Sequence, residues 1–80
     1  MNITVTFYSG FEEYLLENSN KTINLSLAEQ EDIINILHRF LPEKAIGFVG
    51  MVLVNKKIVD FNYKIVDKDK IEVFPIIGGG

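Results

Sequence analysis

Two hydrophobic periods alternate along this chain, and their order restricts the fold more than any single residue does. In residues 2–7, Ile3, Val5 and Phe7 alternate with Asn2, Thr4 and Thr6. A period of two puts one set of side chains on one face of a strand. Residues 21–27 repeat the pattern through Ile23, Leu25 and Leu27, which predicts an antiparallel hairpin. The connection, FEEYLLENSNK, holds Asn18, Ser19 and Asn20 as turn formers and is longer than a tight two-residue turn. The period then changes. Ile33, Ile36, Leu37, Phe40 and Leu41 recur every three or four residues, which is one face of an amphipathic helix. Glu29, Glu31 and Asp32 suit its first turn, where carboxylates meet the positive end of the helix dipole, and Ser26 with Glu29 fits a capping box. The helix start is therefore expected between Ser26 and Glu29, and Pro42 ends it by disfavouring helical backbone at Leu41.

The second half returns to strands. MVLVN lacks clean alternation, as expected of a strand with apolar groups on both faces. Asn55, Lys56 and Lys57 turn the chain into the short segment IVDF. In KDKIEVFP, Ile71 and Val73 share one face, while Lys70, Glu72 and Phe74 share the other, leaving Phe74 as an aromatic on an otherwise charged face. A hairpin, a crossing helix and further strands predict an α+β chain of the β-grasp arrangement: a mixed sheet of four to five strands packed on one main helix. The first and last strands are expected to run parallel as neighbours at the sheet centre, so that the C-terminal segment leaves from one sheet end.

With 80 residues, 48% hydrophobic, there is room for one core and no second, so residues 1–80 are read as a single domain. A domain of this size buries only about 60% of its unfolded surface. Cysteine is absent, so disulfides, a zinc–thiolate site and a thiol nucleophile are excluded. A net charge of −3 with scattered Lys and Arg argues against a nucleic-acid partner. The longest apolar run, residues 45–54, is far short of the roughly 20 residues that span a bilayer. Met1 and Asn2 lead directly into a strand pattern without a signal peptide. A soluble, cytoplasmic protein with no membrane partner is expected.

Candidate chemistry inside the domain is sparse. His38, the single histidine, lies beside the apolar stripe of the helix and has no cysteine or serine partner for a dyad, so it reads as a surface or packing residue. Asp67 and Asp69 flank Lys68; two carboxylates are too few for a calcium loop, and a solvated turn is the expected reading. Gly47 and Gly50 match neither a phosphate loop nor a dinucleotide fingerprint. No metal site and no bound cofactor are expected.

What remains is the C-terminal segment. Phe74, Pro75, Ile76 and Ile77 form an apolar collar stiffened by proline and β-branching, and Gly78, Gly79 and Gly80 follow without side chains. A frayed end explains glycines but not the collar. Such a flexible tail, residues 77–80, can enter a channel too narrow for any side chain, and its last carbonyl is unshielded.

Over essentially its whole length the sequence resembles the ubiquitin-like sulfur carriers of the MoaD/ThiS group. The resemblance runs from ITVTFYSGF through EQEDIINILHRF and is strongest in VLVNKKIV and YKIVDKDKIEVFPIIGGG. These carry a valine-asparagine turn, an aspartate turn into the last strand, and a proline-containing segment ending in glycines. Three departures stand out: Lys68 replaces the usual glycine of the aspartate turn, so another turn geometry is expected there; Ile76 stands where a second proline is frequent; and Gly78 adds a third glycine. Length and the Phe74-Pro75 collar look most like the small subunit of molybdopterin synthase.

The resemblance implies a carrier without an active site of its own. A partner of the ubiquitin-activating type would use ATP to adenylate the Gly80 carboxylate. A sulfur donor of the cysteine desulfurase or rhodanese type would then convert it to a thiocarboxylate. The acceptor would be the large subunit of molybdopterin synthase or its equivalent, with Gly78 and Gly79 providing clearance. Two alternatives stay open: a thiamine-pathway carrier, and a ubiquitin-like modifier joined to target lysines through its diglycine. For docking, Phe74 is expected to point away from Ile71 and Val73 onto the surface, joined by Leu53 or Met51, with Pro75, Ile76 and Ile77 completing the partner contact.

Overall fold

In the computed structural model, residues 1–8, 10–11, 14–15 and 22–76 are described. Strands β1 (Asn2–Phe7), β2 (Thr22–Ser26), β3 (Val49–Val54), β4 (Lys57–Ile58) and β5 (Lys70–Pro75) form one mixed sheet in the order β2-β1-β5-β3-β4. Helices α1 (Ile33–Phe40) and α2 (Glu43–Ile46) lie between β2 and β3 in the chain. The first and last strands are parallel neighbours, with Val5 opposite Ile71 and Phe7 opposite Val73, while β2 and β3 flank them antiparallel. This is the β-grasp arrangement that the order of periods predicts. The expected turn at Asn18, Ser19 and Asn20 lies outside the described residues.

Alternation along the strands builds the core. Ile3, Val5 and Phe7 of β1, Ile71 and Val73 of β5, and Val52 and Val54 of β3 are buried in one cluster with Ile33, Ile36 and Leu37 of α1. Phe7 meets Phe11 and Phe40 edge-on, each pair of ring centroids being 5.8 Å apart. Burying a side chain of this size contributes about 1.5–3 kcal/mol relative to exposing it. The α1 stripe is thus the wall that the sheet wraps.

The helix begins later than its sequence suggests. Its N-cap is Asp32, whose Oδ1 accepts from the Asn35 N–H at 3.1 Å, whereas Ser26 is the last residue of β2. The cause is long-range: residues 31–34 pair with the loop 61–65. Glu31 O accepts from Ile65 N, and the N–H groups of Ile33 and Ile34 donate to the carbonyls of Tyr63 and Phe61. Loop carbonyls thus take over two donors that a helix end leaves open. Glu31, outside the helix, reaches back to bind the Arg39 guanidinium. At the other end the prolyl effect holds, with Leu41 in extended backbone at φ −121° and ψ 137°.

Two turns set the ends of β3 and β5. Asn55 and Lys56 both have positive φ, 51° and 71°, the conformation of a tight I′ hairpin between β3 and β4. The Asn55 side chain ties this turn to the start of β5: its Nδ2 donates to Asp69 Oδ1 at 2.9 Å, and its Oδ1 accepts from Lys70 N at 3.0 Å. Asp69 also accepts from the Tyr63 hydroxyl and the Val66 N–H. The solvated reading of this turn is therefore wrong for Asp69, which is only 2% exposed and has both carboxylate oxygens hydrogen-bonded. Asp67 is the exposed partner, accepting from Asn2 N. Lys68 keeps φ 71°, the left-handed conformation glycine favours, and its N–H donates to Asn2 O at 2.7 Å. The turn accommodates the lysine.

Candidate functional site

One face of the sheet is covered by the helix, and the other carries the candidate site. Register decides who meets there. Along β1 the outward residues are Thr4 and Thr6, and Tyr8 continues the alternation, its N–H still laddered to Val73 O at 3.0 Å. Along β5 the outward residues are Lys70, Glu72 and Phe74. Met51 of β3 stands opposite Phe74, Leu53 opposite Glu72, and Ile58 of β4 opposite Leu53.

The result is an aromatic and aliphatic patch rather than a charged face. Tyr8 and Phe74 stack with centroids 4.4 Å apart and planes 4° from parallel. Phe74, Met51 and Leu53 are half-buried, and Ile58 is 73% exposed. Phe74 thus lies on the face opposite Ile71 and Val73, partly covered by Tyr8. The β3 alternation that the sequence obscures is present here as well, with Val52 and Val54 inside and Met51 and Leu53 outside.

Within the patch lies a polar bridge. The Tyr8 hydroxyl donates to Glu72 Oε2, and Lys56 Nζ lies 3.0 Å from Glu72 Oε1. Glu72 is almost fully buried by these neighbours. The hydrogen bond from Tyr8, then that from Lys56, hold its carboxyl below the ordinary 4.5, against the opposing effect of burial. In return the hydrogen bond to Glu72 raises both Tyr8 and Lys56. Beyond the bridge, Thr4, Asn24, Leu25, Ser26, Lys68 and Lys70 line a shallow groove of about 460 Å³.

The root of the C-terminal segment emerges at the patch. Pro75, half-buried, ends β5, and the exposed Ile76 donates its N–H to Phe48 O at 2.8 Å. Phe48 is half-exposed and stacks on Tyr14, with Lys44 Nζ 5.9 Å from the Tyr14 centroid. Ile77, Gly78, Gly79 and Gly80 lie outside the described residues. His38 is exposed on α1, apart from the patch. Among the described residues no three His, Asp or Glu side chains gather as a metal site, and no helix is long and apolar enough to cross a membrane.

Sequence reasoning thus named Phe74, Met51, Leu53, Pro75 and Ile76 of this region, set Glu72 on the face of Phe74 without a role, and missed Tyr8, Lys56 and Ile58. The available signal was the period of β1, which extended by one step carries Thr4, Thr6 and Tyr8 to one face.

Comparison with known proteins agrees with this geometry. The family model described as the ThiS family matches residues 8–80. The chain belongs to that family, the ubiquitin-like sulfur carriers to which its motifs pointed. No curated protein sequence matches it. Among solved structures it is similar to SAMP1 from Haloferax volcanii, with a TM-score of 0.71, 14% identity and 100% of both chains covered. A Pyrococcus furiosus protein assigned as molybdopterin converting factor, subunit 1, gives 0.67 at 20% identity, covering 96% of this chain and 99% of that one. A complex of subunits 1 and 2 of molybdopterin-converting factor from Helicobacter pylori gives 0.61 at 20% identity, covering 100% of both chains. At these identities the structural likenesses establish the β-grasp fold.

Proposed function

We propose that the Gly80 carboxylate of this sulfur carrier is adenylated and converted to a thiocarboxylate, and that the sulfur passes to a pterin during synthesis of a molybdenum or tungsten cofactor. The observation that carries this reading is a junction. The central strand β5 presents Phe74 on the open face and leads directly through Pro75 and Ile76 toward the glycines. A partner seated on Tyr8, Phe74, Met51, Leu53 and Ile58 therefore also holds the root of the segment that bears the reacting group. From Phe74 to Gly80 an extended chain reaches on the order of 20 Å, at about 3.3 Å per residue.

The chemistry needs activation because a carboxylate oxygen is a poor leaving group. In an adenylating partner of the ubiquitin-activating type, a Gly80 oxygen attacks the α-phosphorus of ATP and pyrophosphate leaves, forming an acyl-adenylate. A persulfide on a cysteine desulfurase or rhodanese-type donor attacks the carbonyl, and AMP leaves. The acyl disulfide so formed is cleaved by a second thiol, which ends as a disulfide and frees the thiocarboxylate. Gly78 and Gly79 offer no side chain to obstruct the channel. The Helicobacter pylori neighbour was solved with its subunit 2. A large subunit of that class is the acceptor partner we propose here.

The test is intact-mass spectrometry after incubation with ATP, an adenylating enzyme of this type from the same genome, and a persulfide donor. The expected product is heavier by one sulfur minus one oxygen, with the change confined to the C-terminal peptide. An unchanged terminus beside an enzyme that demonstrably thiolates another carrier refutes the proposal. Recovery of the tail on target lysines assigns the chain instead as a modifier.

A further inference from the structure

We infer that Gly50 and Gly10 are positioning residues for the activated terminus: Gly50 within β3 and Gly10 in the turn that follows β1 flank the end of β5 and fix the direction in which the chain leaves the sheet. The inference rests on the carrier reading above. The pairing of β3 with β5 shifts register between Val49, opposite Pro75, and Met51, opposite Phe74, so Gly50 occupies a bulge beside the end of β5. A Cβ at Gly50 would stand 2.9 Å from Ile76 Cα, 2.9 Å from Pro75 O and 3.0 Å from Ile76 N. All three obstacles are backbone, so no side-chain rotation can relieve them.

On the other side Gly10 follows β1 with φ +118°, a conformation L side chains rarely adopt. A Cβ there would lie 3.3 Å from Pro75 Cβ and 3.4 Å from Pro75 Cγ. The Pro75 ring fixes its own φ, and the Ile76 N–H is held on Phe48 O. The Pro75–Ile76 peptide is thus confined by Gly50 of β3, by the turn at Gly10 and by its own ring. Gly47 is a natural control, because a Cβ there meets nothing nearer than Lys44 O at 4.0 Å.

Adenylation requires an oxygen of the terminal carboxylate to reach phosphorus in line, and a misplacement of about 1 Å far from the chemistry can cost on the order of 100-fold. Gly50→Ala moves the root of the tail but leaves the Tyr8–Phe74 patch in place. With the full chain and pyrophosphate–ATP exchange by the adenylating enzyme as readout, Gly50→Ala should lower kcat by about tenfold or more. Its KM should stay within about threefold of the parent, as for loss of an arrangement needed only in the transition state. Gly47→Ala should change neither.

Amide exchange supplies a readout that needs no enzyme: Ile76 should be protected in the parent protein and lose protection in Gly50→Ala while β1 and β5 keep theirs. The inference is overturned by a folded Gly50→Ala with the parent's kcat, or by a lost kcat matched by an equal rise in KM. Ile76 exchanging as a frayed end in the parent protein also overturns it, whether or not any variant folds. A parent chain that is never adenylated sinks the carrier reading instead, and Ile76 exchange then still decides whether the two glycines fix the exit.

Discussion

The two faces of one sheet are built from the same strands and behave as different materials. On the inner face, Ile3, Val5, Phe7, Val52, Val54, Ile71 and Val73 are closed under α1, and their contribution is burial itself. On the outer face nothing among the described residues forms a second layer. Tyr8, Glu72 and Lys56 satisfy one another, and the surfaces of Phe74, Met51, Leu53 and Ile58 stay half or largely open. On the reading proposed above, the contrast separates the face that supplies stability from the face that supplies recognition. The inner face holds the fold, whereas the polar atoms of the outer face are tied to one another and its apolar side chains stay partly exposed. Contiguous exposed apolar surface of this kind marks interaction sites.

The comparison breaks most plainly if the inner face proves dispensable. Phe7→Ala removes a ring packed edge-on against two others, and should lower unfolding free energy by about 3–5 kcal/mol in a urea titration. Against a total of about 5–15 kcal/mol this is a large fraction of the stability. Ile58→Ala on the outer face should stay within about 0.5 kcal/mol, because Ile58 is already 73% exposed. Equal losses at the two positions would erase the distinction.

A second substitution sharpens it from the other side. Phe74→Ala should weaken binding of the adenylating enzyme or the large subunit by about 2 kcal/mol, roughly thirtyfold in Kd by calorimetry. Its stability cost should be about 1 kcal/mol, since only the stack on Tyr8 and the half-buried ring are lost. Normal binding with severe unfolding would mean that Phe74 belongs to the core and that the outer face is no docking surface.

What could be read in advance divides along the same physical line. The β1 and β5 alternations and the α1 stripe are local periods, so strands, helix and the β-grasp order were legible, as was the pairing of Phe74 with β3 residues. The helix start was not, because Asp32 becomes the cap only when the loop 61–65 pairs with residues 31–34. Helix α2 is four residues long, Glu43 to Ile46, too short to show a period. Asp69 looked solvated because the donors that bury it come from Asn55, Tyr63 and Val66, brought together by two turns. Tyr8 and Glu72 are 64 residues apart in sequence and meet through the parallel register of β1 and β5. Local chemistry is visible in the letters; long-range register has to be seen.

The smallest expected effect tests whether the polar bridge is what orders the outer face. Glu72 has its folded value depressed below the ordinary 4.5, chiefly by the Tyr8 hydroxyl and then by Lys56. A depressed carboxylate contributes stability that is present in full above its unfolded value and is lost as pH falls through the folded one. Tyr8 has the opposite sign: its value is raised above 10.0, first by the bond to Glu72, so its contribution holds below 10 and is lost as pH rises through the raised value. The bridge therefore works in a window bounded by the depressed Glu72 value below and the raised Tyr8 value above. Tyr8→Phe keeps the stack on Phe74 and removes only the donor. Relative to the parent it should lose a little stability at neutral pH, by less than Phe74→Ala loses. The difference should narrow as acid protonates Glu72, and narrow again in alkali where the parent's Tyr8 ionises. A stability difference that is flat across this range would show that the bridge is incidental and that packing alone shapes the outer face.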